Sequence, residues 1–145
     1  MHEWSIAEAV CRAAVELAKA RGAKRIVELR VRVGELAQLD LRILREALGV
    51  LAEDSILQGA RIEVEVERAE MRCNKCGYRC GMAELLSTLI SSTPEIVDED
   101  GARDLPLHYY PGLIYALGRC PRCGSRDFEV RGGRSVEIER VVVER

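Results

Sequence analysis

Two Cys-x-x-Cys pairs, Cys73 with Cys76 and Cys120 with Cys123, stand 43 residues apart in the chain. Each pair offers two thiolates from one tight turn, and four thiolates in tetrahedral array are what a structural Zn²⁺ site requires. The small residue such a turn needs follows each second cysteine, as Gly77 and Gly124. Lys75 and Arg122 sit between the thiolates, where a cation partly offsets the surplus negative charge of a zinc–tetrathiolate centre. Four protein ligands leave no position for water or substrate, so the site is expected to hold structure rather than to catalyse. Two rival arrangements use the same residues. A pair of disulfides is disfavoured in a reducing cytosol. In the other, Cys80 replaces one of the four, since Cys73-x-x-Cys76-x-x-x-Cys80 keeps it within reach.

The remaining residues with ligand chemistry are His2, Glu3 and His108, the chain having two histidines. A histidine at position 2 allows the free α-amine of Met1, the following amide nitrogen and the imidazole to close chelate rings on one metal. That nitrogen-rich, tetragonal set suits Ni²⁺ or Cu²⁺. It requires Met1 to be retained, as a bulky second residue favours, and the amine must shed a proton, so affinity should fall with pH. The competing reading of His2 is a surface histidine at a frayed terminus. His108, in Leu107-His108-Tyr109-Tyr110-Pro111, reads either as an apolar loop anchor or as a further donor.

The elements that would position these groups follow from periodicity. Ala7, Val10, Cys11, Ala14, Leu17 and Ala18 recur at helical spacing from Trp4 to about Arg21, with Gly22 as a stop. Cys11 is expected to be a small core residue on that face. Lys24 to Val33 alternates as a strand, with Val27, Leu29, Val31 and Val33 on one face and Glu28, Arg30 and Arg32 on the other. Asp40 is a plausible N-cap for a second helix to about Asp54, burying Leu41, Leu44, Leu48 and Leu51. Arg61 to Arg68 alternates again, with Ile62, Val64 and Val66 inward. Strand, helix, strand favours parallel pairing, and the charged outer faces suggest a sheet covered on one side only.

After the cysteine segment, Ser135 to Val143 returns to strand character, and its valine triplet hints at a bulge or at a strand covered on both faces. The knuckles therefore form an insertion between two strands of one sheet. Within it, Met82 to Ile90 reads as a short helix. Ser91 to Gly112, with Pro94, Pro106, Pro111 and the run Asp98-Glu99-Asp100, reads as a long loop. The chain of 145 residues is long enough for one modest core and a metal-stapled appendage. A net charge of −2 gives no global attraction to a polyanion. No apolar run approaches membrane-spanning length, and Met1-His2-Glu3-Trp4 does not resemble a signal peptide, so a cytoplasmic protein is expected.

Taken together, the opening Met1-His2-Glu3, the run Val31-Arg32-Val33-Gly34-Glu35-Leu36, and Cys73-x-x-Cys76-Gly77 with Cys120-Pro121-x-Cys123-Gly124-Ser125 resemble the HypA family. These are nickel metallochaperones of nickel-iron hydrogenase maturation, and the long insert resembles the archaeal type. The resemblance spans essentially the whole chain. It implies an α+β fold, with two helices on a three-stranded mixed sheet and an inserted four-cysteine zinc-binding domain. Residues 1–70 plus 130–145 would form the nickel-binding domain and 71–129 the zinc-binding domain with its long loop. It also implies His2 as the essential nickel ligand, with Met1 and Glu3 lending the amine, backbone nitrogens or a carboxylate. Zn(II) would lie on Cys73, Cys76, Cys120 and Cys123, and the long insert leaves open whether His108 joins the nickel site.

The resemblance further implies delivery of Ni(II), without enzyme chemistry, in partnership with the nickel-handling GTPase HypB and the hydrogenase large subunit. The chain lacks a G-x-x-x-x-G-K-[ST] phosphate loop, so nucleotide hydrolysis would belong to such a partner. A rival function is a zinc-ribbon module for nucleic acid or protein, because Arg72, Arg79, Arg119, Arg122, Arg126, Arg131 and Arg134 cluster around the knuckles. A hydrolytic zinc enzyme would need an open coordination position, which four thiolates deny. Both a monomer and a homodimer that exchanges its zinc module are compatible with a long insert and a returning strand.

Overall fold

The computed structural model describes residues 3–90, 96–97, 99–101, 103–104 and 113–145. In chain order the elements are α1 (Glu3–Ala20), β1 (Arg25–Gly34), a 3-10 turn (Glu35–Ala37), α2 (Leu41–Ala52) and β2 (Arg61–Glu67). There follow β3 (Glu70–Cys73), β4 (Arg79–Gly81), α3 (Met82–Ile90), β5 (Ile96–Val97), β6 (Arg103–Asp104), α4 (Leu113–Leu117), β7 (Phe128–Arg131) and β8 (Val136–Glu144). They divide into two compact units, Met1–Glu67 with Arg134–Arg145, and Arg68–Gly133.

The first unit is an α+β fold on a mixed sheet of order β2-β1-β8, with β1 parallel to β2 and antiparallel to β8. Its core joins Leu29, Val31 and Val33 of β1 to Ala7, Val10 and Ala14 of α1 and to Leu44 and Leu48 of α2. The small residues of α1 let it lie close to its neighbours. Asp40 caps α2 as its type and place suggest, its Oδ1 accepting the backbone N–H groups of Arg42 and Ile43 at 3.0 and 3.3 Å. The burial of one sheet face by α1 and α2 leaves the other to charge. There Arg30 reaches Glu63 at 3.2 Å and Glu28 at 3.5 Å, Arg32 reaches Glu139 at 3.0 Å, and Arg61 reaches Glu63 at 2.6 Å.

Three apolar positions depart from the sequence pattern. Val27 is 40% exposed while Ile26 is fully buried, because the pairing with β8 slips between Ile26 and Glu28 and turns the intervening residue outward. Val66, at the end of an edge strand, is 48% exposed, and Leu17, at the margin of the α1 face, 54%. The valine triplet lies against the slip in β1, Val143 opposite Ile26 and Val142 opposite Glu28, and β8 has a bulge of its own before the triplet. Arg140 pairs with Arg30 and Ile138 with Val31, so Glu139 is the extra residue.

The second unit carries an antiparallel sheet of order β4-β3-β7 that sequence periodicity did not anticipate. Its inward face holds Met71, Cys73, Cys80, Phe128 and Val130, all buried, against Met82, Leu85 and Leu89 of α3 and Ile114 of α4. Within 91–112, expected as a long loop, the described residues include the two-residue strands β5 and β6, which pair with one another. Pro94, Asp98, Pro106, His108 and Pro111 lie outside the described residues.

Candidate metal centre

The two knuckles are built alike. Past each first cysteine the chain turns back, so that Gly77 N–H donates to Cys73 O at 3.0 Å and Gly124 N–H to Cys120 O at 2.9 Å. A second pair of bonds closes each loop, Cys73 N–H to Tyr78 O and Cys120 N–H to Ser125 O, both 2.8 Å. Gly77 and Gly124 have φ of 78° and 76°, left-handed values that a side chain would strain. This is why glycine follows each pair. β3 supplies Cys73 at its end, and the Asn74 N–H and side-chain amide donate to the carbonyl and carboxylate of Asp127 at 2.9 and 3.0 Å. That clamp fixes the first knuckle against the chain entering β7.

The four cysteine sulfurs lie within 4.8 Å of one another. Across the knuckles Cys73 Sγ is 3.6 Å from Cys123 Sγ, and Cys76 Sγ is 3.6 Å from Cys120 Sγ. A tetrahedral zinc–sulfur bond of about 2.3 Å places sulfurs about 3.8 Å apart, so this set fits Zn²⁺. A disulfide needs about 2.05 Å, and all six cysteines are free. Cys80 stands outside the set: it is buried on the sheet and is not part of the four-sulfur group.

Electrostatics separate the thiols as geometry does. The backbone N–H of Cys76, with further help from that of Lys75 and the neighbouring sulfurs, lowers Cys73 to about 6 from the usual 9.0. For Cys76 the backbone N–H of Tyr78 pulls downward, but burial and the three neighbouring sulfurs prevail and push it up to about 11. Without a cation four close thiolates repel, so some remain protonated; Zn²⁺ removes that conflict. Cys80 is pushed up to about 11 by burial and by the Glu84 carboxylate. The same carboxylate accepts the Tyr78 hydroxyl at 2.7 and 2.9 Å, raising that hydroxyl's pKa. Burial likewise raises Cys11, which lies in the first unit's core.

Of the residues expected at the amino-terminal site, Glu3 is described and opens α1. Its Oε1 accepts the backbone N–H of Asp40 at 2.9 Å, tying the start of α1 to the cap of α2. Sequence reasoning could not find this bond, since its partners are 37 residues apart and one is a backbone group. Met1, His2 and His108 lie outside the described residues.

An α+β unit interrupted by a four-cysteine zinc-type module defines the class of protein. Residues 1–143 match the family model described as HypA, hydrogenase/urease nickel incorporation, metallochaperone. The hydrogenase maturation factor HypA of Pyrococcus horikoshii is 36% identical over 145 residues, covering 100% of this chain and 97% of that protein. That of Methanopyrus kandleri is 34% identical over 148 residues, covering 99% and 94%. The solution structure of the Ni metallochaperone HypA from Helicobacter pylori shares the fold at a TM-score of 0.55 and 19% identity, covering 99% of this chain and 97% of that one. The chain belongs to the HypA family.

Proposed function

We propose that this chain is a nickel metallochaperone that captures Ni(II) at its amino terminus and delivers it for nickel-iron hydrogenase maturation. The family match over residues 1–143 carries the reading. In this proposal the Met1 amine, the His2 imidazole and intervening amide nitrogens bind nickel, and Glu3 adds a backbone nitrogen or carboxylate oxygen. The bond from Asp40 N–H to Glu3 supports it, because a terminus leading into an anchored helix loses less freedom when it closes chelate rings. His108 is either a further donor or an apolar loop anchor, and a His108→Ala variant separates the two. Nickel is cargo here, and no step requires catalysis by this chain.

Zn(II) on Cys73, Cys76, Cys120 and Cys123 is structural, and its fit rests on the spacing of the sulfurs. HypB and the hydrogenase large subunit are the proposed partners, and the cytoplasm the proposed compartment. No helix among the described residues is long and apolar enough to cross a membrane.

Nickel titration by calorimetry on zinc-loaded protein with its native Met1 tests the site, beside a form with two residues added before Met1 and a His2→Ala variant. Tight binding of one nickel by the native form alone supports the proposal. Equal binding by all three would place nickel elsewhere and overturn it. A His108→Ala variant that keeps native affinity would remove His108 from the ligand set.

A further inference from the structure

The cations of this chain are deployed in two ways. On the open face of the first unit's sheet, Arg30, Arg32, Arg61 and Arg140 each reach a glutamate within 3.9 Å. In the second unit Arg79 and Arg131 also pair, with Glu70 and Glu129. Arg72, Lys75, Arg119, Arg122 and Arg126 make no ion pair among the described residues, and the last four are exposed.

These five share one end of the second unit. The sulfurs meet within 4.8 Å, so the turns carrying Lys75 and Arg122 abut. Arg72 and Arg119 each precede the first cysteine of a knuckle, and Arg126 adjoins Asp127, which is bonded to Asn74. The exposed Cys76 and Cys123 belong to the same end. A zinc–tetrathiolate centre carries a surplus negative charge of about two, fewer than the cations around it. Neutralising the centre therefore leaves part of this positive charge unexplained.

We propose that this knuckle end is a docking surface for a carboxylate-rich segment of a partner protein. Guanidinium groups present planar donor pairs that match carboxylates, and those without an ion pair among the described residues steer an acidic partner to the surface. Nucleic acid fits less well. Residues 72–77 and 119–126 hold no aromatic side chain on which a base could stack. Asp127 and Glu129 lie beside the cations, tolerable to spaced carboxylates but opposed to a continuous phosphate backbone.

The test is an amide NMR titration of the full-length, zinc-loaded protein with an octaglutamate peptide, and in parallel with an oligothymidylate of equal length. Expected are shifts at residues 72–76 and 119–127 with the peptide, and at least a tenfold loss of affinity from about 50 to about 300 mM salt as screening shortens. The triple variant R119E/R122E/R126E should keep its zinc and lose the peptide. If charge reversal disturbs the fold, R119Q/R122Q/R126Q reports the same loss with milder change. No peptide shifts at these residues, undiminished binding in a folded variant, or tighter binding of the oligothymidylate would each overturn the proposal.

Discussion

The two units stand by different means. The first buries a continuous apolar cluster between α1, α2 and one face of its sheet, and commits its charges to ion pairs on the other face. Among the described residues the second has a smaller apolar set, in which Cys73, Cys80 and Cys120 are themselves buried. The cations at its knuckles make no ion pair among the described residues. The contrast yields an expectation: the first unit rests on area removed from water, and the second depends in addition on metal–sulfur bonds.

Zinc removal is the strongest way to break that comparison. Structural zinc in small modules contributes roughly 10 kcal/mol or more of apparent folding energy at neutral pH. A strong chelator, or Cys73→Ser, should collapse amide dispersion for residues 68–133 while the resonances of 1–67 and 134–145 persist. If the second unit keeps its dispersion without metal, the apolar set of Met71, Leu85, Leu89 and Phe128 holds it instead. Cys80→Ser makes the internal control, because that variant should retain zinc.

The converse lesion is Leu29→Ala. Leu29 is fully buried at the centre of the first unit, and such a truncation costs about 2–5 kcal/mol. Thermal unfolding should drop for the first unit, with zinc content unchanged at temperatures where the second remains folded. Release of zinc in step with the first unit's melting would show that the two are one cooperative structure.

Protons sharpen the comparison next. Cys73, lowered to about 6, is already a thiolate at pH 7, whereas Cys76, raised to about 11, must give up a proton to bind metal. Zinc binding at pH 7 should therefore release fewer than four protons, measurable by calorimetry in buffers of different ionisation enthalpy. As pH falls through about 6, Cys73 gains a proton that zinc must displace as well. The decline of zinc affinity with acidity should be steeper below that point than above it. A constant slope from pH 5 to pH 8 would contradict the lowered value. Cys80, outside the metal set, adds a separate dependence: its contribution to stability is present below its usual 9.0 and lost as pH rises through about 11.

What was legible in the sequence depended on how local its cause was. Helical spacing in Ala7, Val10, Cys11 and Ala14, the Asp40 cap, and the glycines after each cysteine pair have causes within a few residues, and the structure has them in those places. Val27 misled because alternation is read along one strand while a bulge is made by two. β3 and β7 carried a period-two signal in Met71 and Cys73, and in Phe128 and Val130, but each is four residues long and adjoins a motif with a stronger signature. Cys80 shows the limit of spacing. Its distance along the chain permitted ligation, and only its place on β4, opposite Met71, gives it to the core instead. The pairing of Arg30 with Glu63 could be anticipated as charge on an outer face, but not as a partner, since register decides it.

The smallest effect concerns the meeting of α1 and α2. Asp40 has two functions that substitution can separate: its side chain caps α2, while its backbone N–H donates to Glu3. Asp40→Ala removes the cap and keeps the donor, and should lower the first unit's stability by about 1 kcal/mol in urea unfolding. Glu3→Ala removes the acceptor and keeps the cap, so its effect should fall on the amide exchange of Asp40 and the first turn of α1, leaving the α2 cap intact. If Asp40→Ala also accelerates exchange at the start of α1, cap and tether act as one device. If the two effects stay apart, the tether alone positions the beginning of α1, and the apolar unit, like the zinc unit, fixes one of its ends through a few directed bonds rather than through buried area.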